Sequence, residues 1–171
     1  MFVVREDGLM QLGGRLVRCT LGRAGVRDAG LKREGDGATP RGRWPLRRVL
    51  WRPDRLAAPL TRLAAFPIGP RAGWCDAPTD PMYNRPVTLP YAASAERLWR
   101  DDGLYDLVVI LGHNDDPVVP GAGSAIFLHL AAAADRPTEG CVALAMNDMI
   151  ELLALAVPGD GLDIAPAGAP A

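Results

Sequence analysis

The chain carries two histidines and three cysteines, and one pairing among them has a spacing that suggests chemistry. His129 closes the apolar run Ala125-Ile126-Phe127-Leu128. Further on, Thr138-Glu139-Gly140-Cys141-Val142-Ala143-Leu144 sets a cysteine after a glycine and before a second apolar run. A thiol is a poor nucleophile until ionised, and a neighbouring imidazole can take its proton and lower its pKa. Gly140 permits positive φ and close approach of a substrate to the backbone. Backbone N–H groups at such a turn can face a developing oxyanion, a contribution of about 10²–10³-fold. Two adjacent strands ending at one edge would bring Cys141 and His129 together as nucleophile and base. A histidine at a strand end more often serves structure, so the pairing carries this reading, not His129 alone.

Other polar residues compete for a place in the same cleft. Gly112-His113-Asn114-Asp115-Asp116 follows a strongly apolar run. His113 could therefore reach the cleft, with Asn114 beside it, and bind substrate; the alternative is bonding to nearby loop carbonyls. Asp115 and Asp116 precede Pro117 and suit a turn cap. Trp74-Cys75-Asp76 and Asp80-Pro81-Met82-Tyr83-Asn84 lie in a proline-rich span. Trp74, Asp76, Tyr83 and Asn84 belong either to loop packing or to the cleft wall. Lys32, in the charged stretch Lys32–Asp36, could neutralise a substrate carboxylate. Cys19 and Cys75 read as packing thiols. The cysteines are too scattered for a disulfide framework, and no CxxC pair offers a structural zinc site.

These residues need strands to position them, and the chain supplies short β-favouring runs between frequent glycines and prolines. Strands are expected at Arg15–Leu21, Gly42–Trp51, Tyr105–Gly112, Ser124–Leu130, Cys141–Ala145 and Gly161–Ala165. Leu107–Leu111 is continuously apolar, as a central strand buried on both faces would be. One helix is expected from Ser94 through Trp99, with a hydroxyl cap and an early acid. A second is expected from an Asn147 N-cap to about Ala156, with Asp148 and Glu151 where the helix dipole favours acids. Pro53–Pro90 reads as a long, lid-like insertion, and residues 166–171 as a frayed tail. The expectation is one mostly-β domain with a few helices.

Composition narrows the function classes. The 171 residues suit a single domain, and 49% hydrophobic with 23% charged residues is an ordinary globular balance. A formal net charge of −1 gives no global attraction to nucleic acid. Arg41, Arg43, Arg47, Arg48, Arg52 and Arg55 cluster locally, either as a solvated strand face or as a contact for an anionic polymer. No run approaches the roughly 20 apolar residues of a transmembrane helix. The N-terminal residues do not resemble a signal peptide, so a cytoplasmic location is one expectation.

The stretch Ile126-Phe127-Leu128-His129 with Thr138-Glu139-Gly140-Cys141-Val142 resembles the signature of the L,D-transpeptidase (YkuD-type) catalytic domain. That signature is a strand-closing histidine followed by a Ser/Thr-x-Gly-Cys turn. Thr39-Pro40-Arg41-Gly42 resembles the family's earlier Thr-Pro-x-Gly segment. Asn147–Ala156 and Pro158-Gly159-Asp160-Gly161 resemble its last helix and the turn into its last strand, so the likeness runs from about residue 13 to residue 165. The resemblance implies a β-sandwich or β-barrel-like fold, a single catalytic domain over residues 1–165, and no cofactor or metal. It implies Cys141 as nucleophile and His129 as base, with Thr138 and the N–H groups of Gly140 and Cys141 organising the oxyanion site. The implied partner is a peptidoglycan stem peptide, attacked at its third residue, usually a diamino acid, with release of the terminal D-alanine. The thioester then passes to an amine (transpeptidase) or to water (L,D-carboxypeptidase). Asp76 would face the diamino acid's ammonium. The family also implies the periplasm or cell envelope.

This sequence departs from the family pattern at Glu139, where a histidine is common, and at Ala143, where arginine or asparagine is common. Those changes touch the acceptor side, with Glu139 a candidate substrate contact, and suggest a divergent single-domain subgroup. Two other classes compete. A catalytically inactive cell-wall peptide-binding module would keep the fold with an unreactive Cys141. A metal-dependent hydrolase would use His113, Asp115, His129 and perhaps Cys141, although no HxxxH or HxH pair offers two ligands from one element. A papain-like peptidase would have its cysteine before its histidine, the reverse of the order here.

Overall fold

Alternation of buried and half-exposed residues makes the first strands. In β1 (Phe2–Arg5) Phe2 and Val4 face inward; in β2 (Leu9–Leu12) Met10 and Leu12 do, the period of two that a pleated strand requires. β3 (Arg15–Thr20) continues this meander, and β4 (Val26–Asp28) leads to the long β5 (Thr39–Trp51). β10 (Leu107–Leu111), β11 (Phe127–Leu130), β12 (Val142–Leu144) and β13 (Gly161–Ala165) complete the main sheet. The computed structural model describes residues 1–132 and 136–168.

The main sheet closes on itself. Its order is β10-β11-β12-β3-β2-β1-β13-β5, and β5 also pairs with β10. β5 can serve both neighbours because it changes partner half-way. Its first half lies on β13, from Gly42↔Ile164 to Pro45↔Gly161, and its second half on β10, from Leu46↔Leu111 to Trp51↔Leu107. Pro45 has no N–H to give and stands at the handover, a place a strand tolerates proline. Closure removes the exposed ladder edges that an open sheet must protect. The interior holds Val4, Met10, Leu128, Val142, Leu144 and Ile164, capped by Met149, Leu152 and Leu153 of α1 (Met146–Leu155). The fold is thus mostly β, a closed barrel-like sheet with one α-helix among the described residues.

β11 and β12 run parallel and adjacent, with His129 opposite Ala143 and Leu128 opposite Val142. This pairing matters most for function, because it sets Cys141, just before β12, beside the strand that carries His129.

The expected strands all appear, with β11 starting at Phe127 and β12 at Val142. The expected helix at Ser94–Trp99 is instead β9 (Ala95–Arg97). It pairs antiparallel with β7 (Ala72–Cys75), and β8 (Pro86–Thr88) pairs on the other side of β7. Tertiary pairing overrides a capping signal only a few residues long. The span expected to be an irregular lid therefore contains β7 and β8, plus β6 (Ala65–Pro67) added to β5. A second cluster, with Ile68, Trp74, Leu98, Tyr105 and Phe127, joins this small sheet to the outside of β10 and β11. α1 begins earlier than expected: Ala145, not Asn147, holds the cap position, and Met149 N–H donates to Ala145 O at 3.0 Å. Of the tail, residues 169–171 lie outside the described residues.

The arginine cluster on β5 is largely neutralised in place. Arg41 pairs with Glu6 and Asp28, Arg43 with Asp163, Arg47 with Asp115, and Arg55 with Asp106. Arg52 pairs with Asp54 and lies over the Trp99 ring at 3.7 Å. Most of these charges are matched in place, which favours the solvated strand face over a contact for an anionic polymer. No helix among the described residues is long and apolar enough to cross a membrane.

Candidate active site

Cys141 and His129 open into one cavity of 440 Å³, lined also by Lys32, Glu34, Asp76, Glu96 and Tyr105. The turn before Cys141 is built around hydroxyls. Thr138 Oγ1 donates to the Cys141 carbonyl at 2.7 Å and accepts the Gly140 N–H at 3.1 Å. Thr39 Oγ1 accepts the Gly22 N–H at 2.8 Å and donates to the same Cys141 carbonyl at 3.3 Å. Thr39 opens the Thr-Pro-x-Gly segment, so its hydroxyl explains structurally why that segment lies beside Cys141. Gly140 has φ of 133°, and a Cβ there would sit 2.9 Å from the Ala38 carbonyl oxygen. Glycine is required on both counts. The Gly140 N–H is thus spent on Thr138, a correction to its expected place in the oxyanion site.

The Cys141 thiol is almost wholly buried and bonded to backbone. Sγ donates to the Ala125 carbonyl at 3.2 Å and accepts the Phe127 N–H at 3.3 Å. Burial pushes the thiol up to about 12; nearby Glu96 adds to the effect, and Lys32 and the Phe127 N–H oppose it. Burial likewise pushes His129 down to about 4, against its bond to the Leu130 carbonyl. Both shifts favour the neutral thiol and the neutral imidazole, against the expected lowering of the thiol's pKa by His129, because desolvation disfavours both charged forms. His129 Nδ1 lies 2.8 Å from Leu130 O, so Nδ1 carries the proton and Nε2 is left as the acceptor. Tyr105 packs edge-on against the ring at 5.3 Å and donates its hydroxyl to Glu96 at 2.5 Å.

The proposed cleft residues divide by place. Asp76 and Glu139 line the cavity; Glu139 is held at its rim by Arg23, at 2.8 Å. The other five are supports, four of them buried and Asn114 half-buried. His113 donates from Nε2 to Ala122 O at 3.1 Å and meets the Trp44 ring edge-on. Asn114 bonds Val119 and Gly123 and so ties its own loop. Trp74 donates to Asn84 Oδ1 at 2.9 Å and packs against Phe127, while Tyr83 donates to Glu34 and accepts the Gly123 N–H. Asn84 accepts the Ala125 N–H at 3.1 Å. These five line none of the thiol's cavity; most of their polar atoms hold loops together, and His113 Nδ1 is buried without a partner.

The matching family model is the L,D-transpeptidase catalytic domain, YkuD, over residues 1–164. The chain belongs to the YkuD family. Among curated proteins and among solved structures, none matches. In this YkuD domain the cavity also holds groups that the sequence did not single out. Glu96 lay in a stretch read as a helix, and Tyr105 and Ala125 looked like ordinary strand residues. Glu34 sat inside a charged loop, so only its neighbours in space mark it. The metal-hydrolase reading has no site among the described residues, where no three His, Cys, Asp or Glu gather as a metal would need.

Proposed function

We propose that this YkuD domain is a cysteine-dependent acyltransferase acting on peptidoglycan stem peptides through a thioester at Cys141. The shared cavity that exposes Cys141 and His129 to one another's neighbourhood carries the reading. In the first half-reaction the thiol attacks the carbonyl of the stem's third residue while its proton passes to His129 Nε2. The N–H of Cys141 stands at the end of the turn as an oxyanion donor. The intermediate collapses, the bond to the terminal D-alanine breaks, and His129 returns the proton to the departing amine. An amine or water then attacks the thioester, and Cys141 regains its proton through His129. Substrate binding displaces water and supplies the oxyanion whose formation makes ionising the thiol worthwhile, so a resting neutral pair suits the chemistry.

Charge in the cavity supports a diamino acid at the third position. Asp76, Glu34 and Glu96 converge there, and the Glu96 carboxyl is raised, first by burial and also by Asp76 and Glu34. Asp76 Oδ1 is buried without a hydrogen-bond partner. Lys32, the buried cation of the wall, is already engaged by Asp36 at 2.6 Å, which leaves it little capacity for a substrate carboxylate. A side-chain ammonium would relieve this crowding of carboxylates.

The test is release of D-alanine from a tetrapeptide stem with a diamino acid at position three. Wild-type protein should release it and Cys141→Ala should not; equal release by both would remove the proposal. Asp76→Asn should raise KM about tenfold for that stem and leave a neutral third residue unaffected, a loss typical of one buried charge contact. One observation favours an inactive peptide-binding module, namely that burial and backbone contacts hold the thiol neutral. That reading predicts stem binding without release.

A further inference from the structure

We propose that Asn84 is a positioning residue that sets the Cys141 thiol through the backbone of Ala125. The inference rests on Cys141 as the nucleophile. Ala125 hydrogen-bonds to both partners: its N–H donates to Asn84 Oδ1 at 3.1 Å and its carbonyl accepts the Cys141 S–H at 3.2 Å. Between those two groups lies a φ of 51°, a left-handed conformation that an alanine adopts only when its surroundings hold it there. The Asn84 side chain is the holder. It is 4% exposed, and all of its hydrogen-bonding capacity is used. Oδ1 also accepts from Trp74 Nε1 at 2.9 Å, and Nδ2 donates to the carbonyls of His113 at 3.1 Å and Asn114 at 2.7 Å.

The consequence for the thiol is directional. With Ala125 left-handed, its carbonyl points at Sγ and takes the S–H, while the Phe127 N–H donates to the same sulfur at 3.3 Å. Sγ is thereby held in one orientation between two backbone groups of the strand that carries His129. Let Ala125 relax to negative φ, and its carbonyl turns away, leaving the S–H without its acceptor. Asn84 belongs to the segment between β7 and β8, so the small sheet reaches Ala125, and through it the thiol, by this amide. Loss of an acceptor for the neutral thiol favours the thiolate, whereas loss of a fixed orientation slows attack on a bound carbonyl.

Alkylation of Cys141 by iodoacetamide across pH, read by peptide mapping, reports the thiol itself whether or not any peptide is turned over. D-alanine release, run alongside, reports the proposed reaction, so the two readings fail separately. Asn84→Ala should move the alkylation profile toward lower pH and cut kcat about tenfold or more with little change in KM, as expected for a misplaced nucleophile. Adding Ala125→Gly should restore both, because glycine takes positive φ without strain; a purely structural role for Asn84 would not be rescued this way. The charged and titratable groups that share the thiol's cavity, Lys32, Glu34, Asp76, Glu96, Arg100, Tyr105, His129, Arg136 and Glu139, are untouched by these changes. If Asn84→Ala does not fold, Trp74→Phe removes the indole donor to Asn84, along with part of the ring that packs on Phe127, and should shift the profile the same way, by less. An unchanged profile in the variant that folds, or no rescue by glycine at 125, overturns the proposal.

Discussion

At the residue scale, burial governs the acid and base of the site and makes its effect on stability calculable in sign. His129 is buried as the neutral imidazole, with its pKa lowered to about 4 from an unfolded value near 6.5. Between those values the unfolded chain binds the extra proton, so stability rises with pH through this window and falls as pH drops from about 6.5 to 4. The effect is on the order of 3 kcal/mol, since one pKa unit is about 1.4 kcal/mol. His129→Gln should flatten much of that acid limb in urea titrations taken at successive pH values. His113, lowered chiefly by its own burial, supplies a smaller remainder of the same sign. Cys141 acts at the other end: its raised pKa adds stability below about pH 9 that is lost as pH climbs toward 12. Gly140→Ala combines a left-handed φ with a clash against the Ala38 carbonyl. It should cost about 1–3 kcal/mol and lower kcat, because the turn it distorts carries the nucleophile.

At the element scale, β11 joins the two cores. Its Leu128 points into the barrel, while Phe127 faces the small sheet, edge-on to Trp74 at 5.2 Å and to Tyr105 at 6.0 Å. Phe127→Ala should therefore destabilise by about 3–5 kcal/mol, the range for a buried aromatic, measured as a fall in Tm. Its N–H to Cys141 Sγ belongs to the backbone and survives the substitution. Any loss of kcat beyond the fraction unfolded would then report a shift of the small sheet relative to the thiol. The β9 strand shows why part of this was invisible beforehand. Ser94 followed by Glu96 looks like a helix start, and nothing nearby in sequence announces that β7 waits to pair with it. The apolar runs of β10 and β11, by contrast, carry their own signal, since continuous burial on both faces leaves no polar position to confuse the pattern.

At the scale of the whole molecule, barrel closure decides which distant residues meet. His129 and Cys141 were legible because they sit on consecutive strands with a recognisable turn between them. Thr39 and Asn84 stand out in the sequence but their partners do not: the Thr39 hydroxyl meets the Cys141 carbonyl and the Asn84 amide meets the Ala125 N–H only in the closed fold. Ala125 and Glu96 carry no sequence signal of their own. The hydroxyl pair Thr39 and Thr138, from opposite ends of the chain, meets on one carbonyl, and no short motif encodes that. His113 and Tyr83 lie off the cavity because their bonds go elsewhere, His113 to the Ala122 carbonyl and Tyr83 to Glu34 and the Gly123 N–H, as buried polar groups are usually satisfied. What the closed fold delivers is one thiol and one imidazole facing a single cavity lined by carboxylates and cations alike. The central claim is that this thiol takes an acyl group. Incubation with a carbapenem-type β-lactam, followed by intact mass and peptide mapping, tests it most directly. The account predicts a single acyl adduct on Cys141, absent in Cys141→Ala and slowed in His129→Ala. No adduct on Cys141 in folded wild-type protein, or an undiminished rate in His129→Ala, would contradict it.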